Sequence, residues 1–240
     1  MNLNLSNQHT FFYGIDGCKS GWILAILERN SVGFELRFQL LSSLFSLKEH
    51  IDLSKLNSIW IDIPIGLSEK EERICDKQLR KALGKKGASV FTTPIRSAVY
   101  ATSYQEASNL NFEQTGKKIS IQSWNICPKI KQADEFLIQN SEFKPLFKES
   151  HPEYMFHSWH PNHFKSKKTE IGLIQRLEFL DSQLACFDVI DSFIKSHKRS
   201  LFAKDDVLDA LALAFAAFQS NQQGVSYFGD GNFKIYFPIL

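Results

Sequence analysis

The segment SIWIDIPIGL, residues 58 to 67, is apolar at nearly every position on both sides of one acid. A strand with two apolar faces must be covered on both, so this one is predicted to be central and parallel in a layered α/β fold. Pro64 and Gly66 end it, since proline cannot continue a ladder and glycine permits a sharp exit. Asp62 stands inside that run, where an isolated carboxylate is costly unless it is paired, hydrogen-bonded or metal-bound.

A second segment constrains the fold almost as strongly. After its first turn, KDDVLDALALAFAAFQS (204 to 220) is apolar nearly all round, which predicts a buried helix. Around these two elements the reading is α/β throughout. FFYGID, WILAILE and FELRFQLL predict a three-stranded meander, the last by its alternation of Phe34, Leu36, Phe38 and Leu40. SSLFSLKEHI reads as an amphipathic helix capped by Ser42 or Ser43. Residues 68 to 149 are charged, polar, helical or loop-like, and are read as an insertion within a single domain of residues 1 to 240. ESHPEYMF is read as a further short strand, KTEIGLIQRLEFLDSQLACFDVIDSFIKSHK as helical, and GDGNFKIYFPIL as a turn and a strand.

Composition narrows the function classes. Of 240 residues 43% are hydrophobic and 21 are Phe, enough for a real core. The net charge of +2 gives no strong global field for drawing in polyanions, so any such binding rests on local patches. Cys18, Cys75, Cys127 and Cys186 form no C-x-x-C pair, which argues against a zinc ribbon or redox motif and fits reduced thiols in a cytosol. MNLNLSNQHTFFYG reads as a polar tail and not a signal peptide, and no apolar run reaches about 18 residues, so a cytoplasmic protein without membrane contact is expected.

The acids carry the chemistry. Asp16 lies at the end of the first strand, Asp62 in the central one, and Asp206 and Asp209, three apart, share a helix face. Taken singly, Asp16 could form a turn, Asp62 could bond the turn that follows, and Asp205 or Asp206 could cap the helix. For Asp205 the cap is preferred; for Asp209 it fails, because that residue lies past the first positions. Glu153, between apolar residues in HPEYMF, is a fifth candidate. Such carboxylates without a matching Cys or His set suggest Mg²⁺ or Mn²⁺. Two such ions about 3.5 to 4 Å apart can activate water and stabilise a leaving oxygen in phosphodiester hydrolysis.

GIDGCKSGW, IDIPIGL, the R-x-x-D of RICD, SVFTTPIR, SIQSWNICPKIKQAD, HPE and DDVLDALALA follow one another in an order that resembles the "domain of unknown function 429" family, from about Tyr13 to Ala217. The resemblance implies a ribonuclease-H-like mixed five-stranded sheet flanked by helices, similar to resolvases of the RuvC type, with the helical insertion after the fourth strand. It implies Asp16 and Asp62 on adjacent parallel strands, Asp206 and Asp209 as the D-x-x-D of the resolvase branch, and Glu153 as the glutamate of HPE. These five residues are the expected catalytic and metal-holding set of a Mg²⁺- or Mn²⁺-dependent nuclease or phosphodiesterase. The alternative is a non-catalytic member of the same fold that binds nucleic acid or protein. Phosphoryl transfer to a small molecule, as in sugar kinases of related sheet, ranks last because no nucleotide-binding loop is found. Lys19 and Ser20 depart from the family's usual G-C-R-G-G-W.

Nucleic acid of unspecified type is the expected partner, and the oligomeric state stays open, a homodimer included. Arg73, three before Asp76, either faces the site or forms a surface pair, and the resemblance favours the first, as a substrate-binding residue. Lys19, Arg96, Gln122, Lys129 and Lys168 are candidates for placing phosphates. KQLRKALGKKG is either a phosphate-tracking surface or a solvated face. His157, His160 and His163 lack the pattern of a zinc site and read as a loop cluster, and Cys18, without a linked histidine, as a small buried residue.

Overall fold

The structure, a computed structural model, describes residues 9–240. Most of the polar tail expected at the N-terminus therefore lies outside the described residues. Strands β1 (Thr10–Cys18), β2 (Gly21–Arg29) and β3 (Phe34–Leu41) form the antiparallel meander, with Asp16 opposite Ile23 and Ala25 opposite Phe38. Gly21 makes the first turn feasible: a Cβ there would stand 2.0 Å from the Leu41 carbonyl oxygen.

The residues after β3 form a 3₁₀ turn, Leu44–Glu49, in place of the expected amphipathic helix, and Ser43 caps it by accepting from the Phe45 N–H at 3.3 Å. β4 (Leu56–Ile61) runs parallel to β1 and β5 (Phe147–Glu149) parallel to β4, giving a mixed five-stranded sheet in the order β3-β2-β1-β4-β5. β4 is interior, between the middle strand β1 and the short edge strand β5, and as its apolar sequence demands Ile59, Trp60 and Ile61 are fully buried.

Between β4 and β5 come α1 (Ile74–Leu83), α2 (Arg96–Val99), α3 (Tyr104–Thr115) and α4 (Ile121–Gln139). One sheet face, with Tyr13, Ile15, Leu24 and Ile59, packs on Ile130, Ala133 and Phe136 of α4. After β5 come α5 (Pro152–Trp159), α6 (Glu170–Leu184), α7 (Phe187–Lys195) and α8 (Lys204–Gln223). The opposite sheet face, with Phe12, Ile23, Ala25 and Trp60, packs on α8, whose residues from Val207 to Ala217 are all buried. β1 and α8 come unusually close because Gly14 has no side chain: a Cβ there would stand 1.9 Å from the Ala210 oxygen and 2.4 Å from the Ala214 nitrogen.

Three local readings are corrected. ESHPEYMF is not a strand: β5 ends at Glu149 and Pro152 opens α5, where its missing N–H costs nothing and its fixed φ suits the first helical turn. Glu153 therefore sits in the first turn of a helix. The long helical stretch splits at Ala185, which adopts a left-handed φ of 49° and ends α6. The C-terminal segment is a hairpin of β6 (Val225–Asp230) and β7 (Phe233–Pro238), forming its own sheet against α1. Among the described residues no helix is long and apolar enough to cross a membrane.

Candidate functional site

A cleft of about 720 Å³ opens at the C-terminal ends of β1 and β4, beside the first turns of α8. Its acids arrive there by periodicity. Phe12, Gly14 and Asp16 alternate onto the α8 face of β1, as Trp60 and Asp62 do along β4 and just beyond it. The Asp62 N–H donates to the Ile15 carbonyl at 3.0 Å, which sets Asp62 beside Asp16 on the neighbouring strand. The close approach at Gly14 brings Ala210 against β1, so Asp209, one residue earlier, faces the same space, with Asp206 a turn away. Asp16, Asp62, Asp206 and Asp209 all line the cleft.

Their environment is hostile to so much negative charge. Asp16 is 7% exposed and Asp209 1%. Burial, then the charges of Asp62 and Asp209, hold the Asp16 carboxyl well above the usual range. Burial also raises Asp209, against the pull of Lys167. Asp206 is pushed up to about 6, by burial first and by Asp205 and Asp209, against a hydrogen bond from the Ala203 N–H at 2.8 Å. That bond makes Asp206, rather than Asp205, the residue that caps α8.

One ammonium answers these acids directly. Lys167 Nζ lies 2.5 Å from Asp209 Oδ2 and 3.7 Å from Asp205 Oδ2. Burial disfavours its charge, but Asp209 and Asp16 outweigh that and raise its pKa. Lys129 also lines the cleft, yet its Nζ donates to the Gly21 carbonyl at 2.5 Å and sits 4.6 Å from the centre of the Trp22 ring. Lys19 and Lys168 line the rim and are exposed.

The remaining sequence candidates divide. Glu153 lines the cleft, but Oε1 meets Lys86 at 2.7 Å and Oε2 meets Arg176 at 2.7 Å. Burial pushes its carboxyl up; Lys86 and Arg176 win and hold it below the usual value. Arg73 is neither a surface pair nor open to a substrate. It is 1% exposed and joins Asp76, at 2.8 Å, to Glu149, while Nη1 also donates to the carbonyls of Ile65 and Gly66 at 3.3 Å. Glu149 accepts the Ile65 N–H at 2.7 Å and Asp76 accepts the Thr93 N–H at 2.9 Å. This buried cluster clamps the chain that leaves β4 just after Asp62. Arg96 is paired with Asp134 and with Glu69 at 2.9 Å, and neither Arg96 nor the exposed Gln122 borders the cleft.

His160 and His163 stack among Phe164 and Phe179. Among the described residues, no three His, Cys, Asp or Glu side chains are gathered closely enough to hold a metal ion as they stand. All four cysteines are free and buried. Sequence reasoning missed Lys167 and Glu149. Glu149 closes a strand of only three residues, FKE, too short to show a period, and Lys167, within KSKK in a loop, carries no signal that sets it apart from Lys168.

No curated protein and no solved structure matches the chain. A family model described as "Protein of unknown function (DUF429)" matches residues 14–231, a span that takes in every acid that lines the cleft. The chain belongs to the DUF429 family.

Proposed function

We propose that the cleft is the active site of a divalent-cation-dependent nuclease or phosphodiesterase built on a ribonuclease-H-like sheet. The observation that carries this reading is the convergence of Asp16, Asp62, Asp206 and Asp209, from two neighbouring parallel strands and one helix, on a single cleft. The strand order, an antiparallel meander continued by two parallel strands, supports the fold assignment.

The donor chemistry suits Mg²⁺ or Mn²⁺: hard carboxylate oxygens, buried, and short of positive charge. Asp16, Asp62 and Asp209 would hold the cation, with Asp206 at the margin. Such an ion activates water and stabilises the leaving oxygen in phosphodiester hydrolysis. Glu153, held by Lys86 and Arg176, shapes the wall of the cleft. Lys19, Lys129 and Lys168 line the cleft, and in this reading they would position backbone phosphates of a bound strand without reading its sequence. Arg73, Arg96 and Gln122 take no part in contacting substrate: two are engaged in ion pairs and the third is away from the cleft.

The test is cleavage of RNA, DNA, hybrid and branched substrates with Mg²⁺ or Mn²⁺. Turnover that is lost in Asp16→Asn and in Asp62→Asn supports the reading; no cleavage, or cleavage indifferent to Asp16→Asn, defeats it. One observation favours a second reading, a non-catalytic nucleic-acid-binding protein: Lys167 already neutralises Asp209, as it would in a site that never takes a metal. Salt-dependent binding without turnover, persisting in Asp209→Asn, would mark that case.

A further inference from the structure

We propose that Lys167 is a resident counter-cation, its ammonium and a divalent ion competing for the same Asp209 carboxylate. This rests on the cation-binding reading of the cleft and adds to it a residue that sets when and how tightly the ion binds.

Geometry singles out this lysine. Asp209 is 1% exposed, and Lys167 is the cation that meets its oxygen. Of the other ammoniums that line the cleft, Lys129 is engaged with the Gly21 carbonyl and Lys86 with Glu153 and the Phe164 carbonyl, and Lys19 and Lys168 lie exposed at the rim without an ion-pair contact to Asp209. Lys167 itself reaches in from the loop between α5 and α6, its side chain 37% exposed, so a route back to solvent lies open.

The backbone of that loop is pinned on both sides of the lysine. The Lys165 N–H donates to Gln175 at 2.8 Å, and the Lys165 carbonyl accepts from Arg176 at 2.7 Å. The Ser166 carbonyl accepts from both the N–H and the hydroxyl of Thr169, at 3.0 and 2.8 Å. Exchange of ammonium for metal therefore asks for rotation of one long side chain, not for refolding of the loop. The swap also follows charge: Lys167 brings one positive charge to Asp209 and Asp205, and a dication entering as the ammonium leaves brings two, whereas a monovalent ion would gain nothing.

The consequence is an intramolecular competitor that weakens apparent cation affinity. Mn²⁺ binding to the full chain, read by calorimetry and by the electron paramagnetic resonance of free Mn²⁺, tests it with wild type, Lys167→Met, Lys167→Gln, Lys167→Arg and Asp209→Asn, all checked by circular dichroism. Removing the charge in Lys167→Met or Lys167→Gln should tighten Mn²⁺ about tenfold, a size between that of exposed and buried ion pairs. Lys167→Arg should bind no tighter than wild type, and the gain from Lys167→Met should vanish in the Asp209→Asn background. Wild-type binding that is unchanged or weakened in both neutral variants overturns the competition while leaving the cation site standing. Failure of wild type and of both neutral variants to bind millimolar Mn²⁺ overturns the competition and the cation site together.

Discussion

Arg73 and Lys167 are both cations set among buried carboxylates, but their surroundings are built to different ends. Arg73 is 1% exposed and its guanidinium is shared between Asp76, Glu149 and two backbone carbonyls, while those acids in turn receive the N–H groups of Thr93 and Ile65. Lys167 offers one ammonium to Asp209 and Asp205, with Asp16 and Asp62 close enough to act on it and the cleft open beside it. A buried ionic group closed on its own partners holds the fold together. The carboxylates around Lys167 face an open cleft and are not closed on partners in this way. Residue type alone does not separate the two cases; the completeness of the hydrogen bonding does.

The sharpest way to break the first cluster is Arg73→Ala, which strands Glu149 and Asp76 without their cation. A loss of about 3–5 kcal/mol is expected from urea denaturation, the usual result of removing one partner of a buried pair. A loss below about 1 kcal/mol would mean that Arg73 is not structural. Glu153 belongs with the closed type by its two cations, so Glu153→Gln should cost roughly 1.5–3 kcal/mol, the worth of hydrogen bonds to charged groups.

The open cluster should respond with the opposite sign. Asp16→Asn keeps an acceptor for the Gly17 N–H, bonded at 2.9 Å in the wild type, and removes one of the repelling charges. In chelator, its unfolding free energy should stay level or rise by up to about 1 kcal/mol; a drop like that of Arg73→Ala would show that Asp16 is a structural partner.

The same buried acids give the metal-free protein a pH dependence. The native pKa values of Asp206, near 6, and of Asp16 lie above those of the unfolded chain, so native protein holds more protons between them. Metal-free stability should therefore fall as pH rises from about 4 through about 6. Glu149, pushed up to about 7 by burial against the pull of Arg73, adds a fall of the same sign slightly higher. The difference between wild type and Asp206→Asn isolates the share of Asp206, and parallel profiles for the two would refute its raised pKa.

Much of the fold is legible in the sequence. The meander, the two-faced apolar β4 and the buried α8 follow from patterns that span many residues, and the four aspartates announce themselves by standing in or beside those patterns. β5 is only three residues long and gives no period, so the sequence does not single out its closing acid and points to Glu153 four residues on. Pro152, the stronger local signal, opens a helix there. Arg73 looked like half of an i, i+3 pair because Asp76 is near in sequence, whereas Glu149, 76 residues away, is its other anchor. Ala185 ends α6 without the glycine that usually marks a left-handed cap. Lys167 acts from a loop, where spacing carries no facing information.

The central claim, that the cleft aspartates gather a divalent cation, is tested most directly by anomalous diffraction from a crystal of the chain soaked in Mn²⁺. The expected result is an Mn²⁺ peak within coordination distance of oxygens of Asp16 and Asp209, with Lys167 Nζ withdrawn from Asp209. A cleft without Mn²⁺ at saturating concentration, with Lys167 still seated on Asp209, would contradict it.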